Sequence, residues 1–142
     1  MNIVVLDGGT TNPGDLSWEP LAQLGHLTVY DETSPEQVVG RLFDAQAVIL
    51  NRVALGREEF TQLPRLRYVG TLATGYNTID VEDARAFGIT VCNVPHYCEK
   101  PVAQHALSLL LCLCNHVPAS STLVREGKWE QAVQKSHRTL AP

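Results

Sequence analysis

The sequence predicts an α/β protein: a five-stranded, all-parallel sheet with helices on both faces. Three observations lead there. Five short apolar runs recur before residue 93, rich in Val, Ile and Leu. They are continuous rather than alternating, the pattern of strands buried on both faces. Segments with helical periodicity or helix caps separate them. A parallel pair needs a crossover of roughly a dozen residues or more, and these segments supply it.

The first strand is Ile3-Val4-Val5-Leu6, stopped by Asp7-Gly8-Gly9. Ser17-Trp18-Glu19-Pro20-Leu21 starts a helix that ends at Gly25; Pro20 is tolerated because first-turn N–H groups have no helical acceptor. Leu27–Tyr30 is the second strand and Asp31 ends it. Ser34-Pro35-Glu36-Gln37 reads as a capped start, with proline in the first turn and Gln three residues after the cap. Val38, Val39, Leu42 and Phe43 follow at helical spacing. The third strand, Ala47–Leu50, meets Asn51, and a short helical turn fits Arg57–Leu63. Tyr68–Leu72 is the fourth strand, running into Thr74-Gly75. Asp80 caps a helix over Val81–Phe87 that Gly88 stops. Ile89–Cys92 is the fifth strand, leading through Asn93 to Pro95. Right-handed crossovers turn this order into a flavodoxin-like, doubly wound sheet.

Pro101–Val117, PVAQHALSLLLCLCNHV, predicts one long helix, apolar nearly all round. Such a helix must be covered on both sides, so it is expected to meet a second domain or a second subunit. Ser120–Trp129 and a polar stretch to Pro142 follow, with no further strand. The expected division is a complete flavodoxin-like domain over 1–97 and, over 98–142, the helix and the approach to another domain.

Composition narrows the function classes. The 142 residues carry 11 basic and 15 acidic side chains, a net charge of −4, and only 18% are charged. A mildly acidic chain without a basic stripe points away from nucleic acid and anionic membranes. The N-terminal MNIVVLDGG lacks a basic flank and a long apolar run, so no signal peptide is expected. The apolar stretch Ala106–Cys114, interrupted by Ser108, is far short of the roughly 20 residues of a membrane span. Cys92, Cys98, Cys112 and Cys114 are then expected as reduced thiols in a cytoplasmic protein.

Ligands of open α/β sheets bind beyond the carboxyl ends of the strands. That edge brings together Asp7, Gly8, Gly9, Asn51, Arg52, Ala73, Thr74, Gly75, Tyr76, Asn77, Asn93 and His96. The most informative segment is Leu72-Ala73-Thr74-Gly75-Tyr76-Asn77: a strand running into Thr-Gly exposes consecutive backbone N–H groups, and such a concavity favours a carboxylate. On these residues alone, a plain strand-to-helix turn is the simpler reading. Arg52, ending the third strand, adds positive charge beside it. His96 and His105 are potential acid–base groups with no nearby carboxylate except Glu99, and His105 is expected as a packed helix residue. Cys112-x-Cys114-x-His116 invites a metal reading, but on one helix only Cys112 and His116 share a face, so core packing is expected and no metal. Asp7 raises phosphoacceptor chemistry, yet Asn51 stands where the acceptor aspartate belongs at the end of the third strand. Gly8-Gly9-Thr10-Thr11-Asn12 is a conceivable phosphate loop without the Thr-Gly-x-Thr pattern.

Four segments together resemble the N-terminal part of the D-isomer-specific 2-hydroxyacid dehydrogenases, in the glycerate dehydrogenase and hydroxypyruvate reductase branch. They are Asp7–Pro20 (DGGTTNPGDLSWEP), Tyr68–Asp80 (YVGTLATGYNTID), Gly88–Tyr97 (GITVCNVPHY) and Val102–His105 (VAQH). The similarity runs from Met1 to about Trp129. It implies a two-domain, NAD(P)-dependent enzyme that interconverts a 2-keto acid and a D-2-hydroxy acid. By the same resemblance, backbone amides of Ala73, Thr74, Gly75 and Tyr76 hold the substrate carboxylate, Thr74 also approaches the nicotinamide, and the helix at Pro101–Val117 crosses between domains and contributes to a homodimer. The family's Gly-x-Gly-x-x-Gly turn and its catalytic arginine, glutamate and histidine have no counterpart in the 142 residues. His96 and His105 do not match that histidine in position. The expectation is therefore a substrate domain truncated after the interdomain helix, with no catalytic residue and no complete cofactor site of its own, inactive alone. Cys98-Glu99-Lys100-Pro101 departs from the Ser/Thr-rich entry usual before that helix. Two other readings are a non-catalytic module that pairs through the helix, and a flavodoxin-like binder of FMN or another phosphate ligand.

Overall fold

The structure is a computed structural model and describes residues 1–130. It contains β1 (Asn2–Val5), α1 (Glu19–Ala22), β2 (His26–Val29), α2 (Pro35–Leu42), β3 (Ala47–Leu50), α3 (Arg57–Gln62), β4 (Tyr68–Thr71), α4 (Val81–Ala86), β5 (Thr90–Cys92), α5 (Glu99–Cys114) and α6 (Val117–Arg125). The five strands form one parallel sheet in the order β2-β1-β3-β4-β5, with registers such as Val5↔Val29 and Leu50↔Thr71. The expected flavodoxin-like sheet is present, each strand within a residue or two of its predicted span.

Continuous apolar strands bury both faces because successive side chains alternate. Val4, Leu6, Val48, Leu50 and Val69 face one layer, packed with Val38 and Leu42 of α2, Phe60 of α3 and Ala84 of α4. Ile3, Val5, Ala47 and Ile49 face the other, against Trp18 and Leu21. Helix ends follow the residues that favour them. Ser34 and Gln37 form the capping box of α2, and the Asp80 carboxylate accepts the Asp83 amide at 2.9 Å to start α4. Gly88 stops that helix at φ +70°, in the left-handed region where glycine avoids a Cβ clash.

The chain divides into two compact units, the first spanning Met1–Tyr97 and the second starting at Cys98. In the second unit the expected single helix over Pro101–Val117 is two. α5 starts at Glu99, so Pro101 sits in its first turn, and it ends at Cys114. His116 adopts φ +50°, breaking the path, and Val117-Pro118 begins α6. The two axes meet at 58°, and no single described helix is long and apolar enough to cross a membrane. Within the single chain no residue of α5 is buried, His105 included. The expected approach to another domain over 131–142 lies outside the described residues.

Candidate functional site

At the carboxyl end of β1 the chain turns through a single 3-10 turn, Gly8–Thr10. Its amides are all used inside the fold. Gly8 N–H donates to Tyr30 O (2.8 Å), Gly9 to Asp31 O (3.2 Å), Thr10 to Asp7 O (3.1 Å), and Thr11 and Asn12 to Gly8 O. A Cβ on Gly8 would lie 2.9 Å from Val29 Cγ1, so that glycine serves close packing. The segment offers no phosphate cradle, which removes the structural basis of the FMN-binder reading.

Asp7 is 4% exposed. Its carboxylate accepts the Asn51 amide at 2.9 and 3.1 Å and the Arg52 amide at 2.6 Å, joining the end of β1 to the end of β3. Asn51 Nδ2 donates in turn to Thr10 Oγ1 at 3.0 Å. Asp7 is thus a structural clamp, and a phosphoacceptor role has no free carboxylate to use. Sequence reading missed this partnership, although an aspartate ending a buried strand at the point where the strand order reverses is a usable signal.

The loop leaving β4 divides its polar groups by direction. Leu72 N–H still reaches Leu50 O at 2.7 Å, extending the ladder. Carbonyls then turn to the protein: Ala73 O accepts Val94 N–H (3.1 Å), Thr74 O accepts Asn93 Nδ2 (2.8 Å), Tyr76 O accepts Ile79 N–H (2.9 Å) and Thr78 O accepts Leu55 N–H (3.0 Å). Thr74 Oγ1 donates to Val94 O at 3.4 Å. The amides of Gly75, Tyr76 and Asn77 meet no acceptor among the described residues, and all three residues are exposed. Four carbonyls of this loop thus bond inside the fold, while three successive N–H groups of exposed residues meet no acceptor among the described residues, a donor row of the kind that suits an anion. Gly75 does not adopt positive φ; a Cβ there would stand 3.0 Å from Asn77 Oδ1, so the glycine provides room rather than a special bend. Asn93 and Asn77, which the sequence already places on this ligand edge, join the loop as anchor and third amide, roles that the sequence does not assign to them. Asn93 directly follows β5 on the same edge, which is the signal that identifies it.

Arg52 leaves β3 beside the loop, since Leu50 pairs with Thr71. Its side chain forms part of a different cavity, about 480 Å³ in volume, over Asp7 and Thr10. On its other flank the loop borders an apolar cleft of about 430 Å³ walled by Leu16, Trp18, Leu21, Leu72, Val94 and Tyr97. His96 sits at φ +66° just beyond β5. Cys112 and Cys114 lie on α5 while His116 lies past its end, and no three His, Cys, Asp or Glu side chains among the described residues are grouped to hold a metal.

The fold and this edge define a doubly wound α/β domain with a row of unpartnered backbone amides, among the described residues, at the carboxyl end of its fourth strand. The chain belongs to the D-isomer specific 2-hydroxyacid dehydrogenase family, matching its catalytic domain over residues 3–139. A hydroxypyruvate reductase of Blautia hydrogenotrophica is 49% identical over 133 residues, 92% of this chain and 41% of that protein. A glycerate dehydrogenase of Methylorubrum extorquens is 33% identical over 106 residues, 74% of this chain and 34% of that protein. Among solved structures, an acyclic imino acid reductase in complex with NADPH and D-arginine superposes with a TM-score of 0.77 at 27% identity, over 89% of this chain and 41% of that one. A D-2-hydroxyisocaproate dehydrogenase, 19% identical, shares the fold with a TM-score of 0.73 over 93% of this chain and 41% of its own. The chain spans about two fifths of the length of the hydroxypyruvate reductase and about a third of that of the glycerate dehydrogenase, 41% and 34%.

Proposed function

We propose that this chain is the substrate-binding domain of an NAD(P)-dependent oxidoreductase that interconverts a small 2-keto acid and its D-2-hydroxy acid, hydroxypyruvate or glyoxylate being the expected keto acid. The observation that carries the reading is the row of exposed amides at Gly75, Tyr76 and Asn77 that meet no acceptor among the described residues, in a loop anchored through its Ala73, Thr74, Tyr76 and Thr78 carbonyls. Backbone N–H groups bind a carboxylate without a counter-charge of their own, and the rigid sheet behind them fixes its position. Ala73 and Thr74 shape the entry to that row, Thr74 on the side expected to face the nicotinamide. Arg52, on the neighbouring strand end, adds positive charge to the edge at longer range.

A nicotinamide dinucleotide is held in such enzymes by a strand–turn–helix with Gly-x-Gly-x-x-Gly. The 142 residues contain no such turn, and the Gly8–Gly9 amides are consumed in the fold. The residues of this chain do not fit the dinucleotide, so hydride transfer and its proton donor are assigned to no residue here. A cytoplasmic location and a homodimer formed through α5 complete the proposal. For the dimer the support is exposure: Leu107, Leu109, Leu110, Leu111 and Leu113 are each 54% to 72% exposed in the single chain.

Calorimetric titration of the 142-residue chain tests the reading. Hydroxypyruvate is expected to bind saturably, on the order of millimolar, and dihydroxyacetone, which keeps the ketone without the carboxylate, is not. The same protein is expected to leave NADH unoxidised in the presence of hydroxypyruvate. Equal binding of the two ketones, or NADH consumption above a blank, overturns the proposal.

A further inference from the structure

The strand order β2-β1-β3-β4-β5 reverses direction between β1 and β3. Open α/β sheets bind ligands outside the carboxyl ends of their strands at such a switch point. The switch point here opens into the cavity of about 480 Å³, and no residue of the 73–77 loop lines it. Its size lies within the roughly 300–1,000 Å³ of small-molecule sites. One wall is aliphatic: Pro35, Val38, Val53 and Ala54.

Most polar groups of the lining are already engaged. Asp7 holds two backbone amides, and Thr10 Oγ1 donates to Asp7 O and accepts from Asn51. The Thr33 hydroxyl bonds Leu6 O and the Arg41 guanidinium. Glu59 uses Oε2 to accept the Gly56 amide at 2.8 Å. What remains is the Arg52 guanidinium, the Glu32 carboxylate and the second oxygen of Glu59. Arg52 forms no ion pair with either glutamate among the described residues, although all three line one cavity.

A molecule that carries both charges can engage the two sides of this cavity at once. Three lining carboxylates outnumber the Arg52 guanidinium and the Arg41 guanidinium that is held on Glu32 O and Thr33 Oγ1, which disfavours a dicarboxylate or a phosphate, and a simple amine leaves Arg52 unmatched. A zwitterion satisfies both sides, with its carboxylate on the Arg52 fork and its ammonium toward Glu32 and Glu59. The aliphatic wall then faces its side chain. We propose that this switch-point cavity binds a small aliphatic α-amino acid, at a site separate from the carboxylate loop.

Amide NMR titrations of the 142-residue chain with L-valine, isovalerate and isobutylamine test this, since the last two each delete one charge. L-Valine is expected to shift the Thr33, Arg52, Val53 and Ala54 amides saturably, and the other two to bind at least about tenfold more weakly, a difference of about 1.4 kcal/mol. Arg52→Gln keeps the backbone N–H that Asp7 holds, and is expected to weaken L-valine at least about tenfold. Glu32→Gln, on an exposed side chain, is expected to weaken it as well, and stands in should Arg52→Gln not fold. The proposal is overturned by an absence of saturable shifts, by isovalerate or isobutylamine matching L-valine, or by folded variants that bind L-valine as the parent does.

Discussion

Asp7 ties two strands together at the centre of the sheet, so replacing it tests the architecture behind the site. Asp7→Ala removes an acceptor that the Asn51 and Arg52 amides reach at 2.6 to 3.1 Å. Hydrogen bonds to a charged group contribute roughly 1.5–3 kcal/mol each, and an orphaned buried donor costs roughly 1–3 kcal/mol. Asn51 is half-buried and the Arg52 side chain exposed, so water reaches part of the vacated space. The expected loss is therefore about 2–4 kcal/mol, a large share of the roughly 5–15 kcal/mol that holds an ordinary domain folded. Asp7→Asn keeps one carbonyl oxygen and is expected to lose about half as much, roughly 1–2 kcal/mol. Urea unfolding reads this directly: the midpoint falls by about 1–2 M for the alanine variant while the slope stays constant. An alanine variant within about 0.5 kcal/mol of the parent refutes the clamp.

Three further outcomes follow from particular side chains. The Thr71 hydroxyl is buried, at 1% residue exposure, with no hydrogen-bond partner among the described residues, so Thr71→Val is expected to raise stability by up to about 1 kcal/mol in the same urea assay. Burial first, and then the Cys92 side chain beside it, push the Tyr68 phenol above its ordinary 10.0. The unfolded chain ionises this tyrosine first, so its contribution is complete below pH 10 and is lost as pH rises through the folded value; Tyr68→Phe is expected to flatten that alkaline decline in urea midpoints measured on both sides of pH 10. Sedimentation of the chain is expected to show a dimer that Leu110→Lys converts to monomer, and a monomeric parent contradicts pairing through α5.

Much of this fold was legible because its strands are buried on both faces. Runs such as Ala47–Leu50 leave no polar phase to misassign, and Ser34-Pro35-Glu36-Gln37 and Asp80 mark helix starts by chemistry that acts locally. The second unit was harder. Local apolarity extended the helix to Val117, while the break depends on His116 taking a left-handed conformation that its side chain does not announce. Within the site, the Thr74-Gly75 turn was visible as a place where a strand stops. That its carbonyls bond inward depends on Asn93, Val94, Ile79 and Leu55, partners from other segments that no local pattern reveals. Asp7 shows the same limit: its identity suggested phosphoacceptor chemistry, and its partners, 44 and 45 residues away, assign it to structure.

The central claim is that the loop leaving β4 receives a carboxylate on its own backbone. The most direct measurement is an amide NMR titration of the 142-residue chain with hydroxypyruvate, followed residue by residue. The account predicts saturable shifts at Gly75, Tyr76 and Asn77, abolished when Tyr76→Pro removes the central N–H. Saturable binding that leaves those three amides unmoved would contradict it.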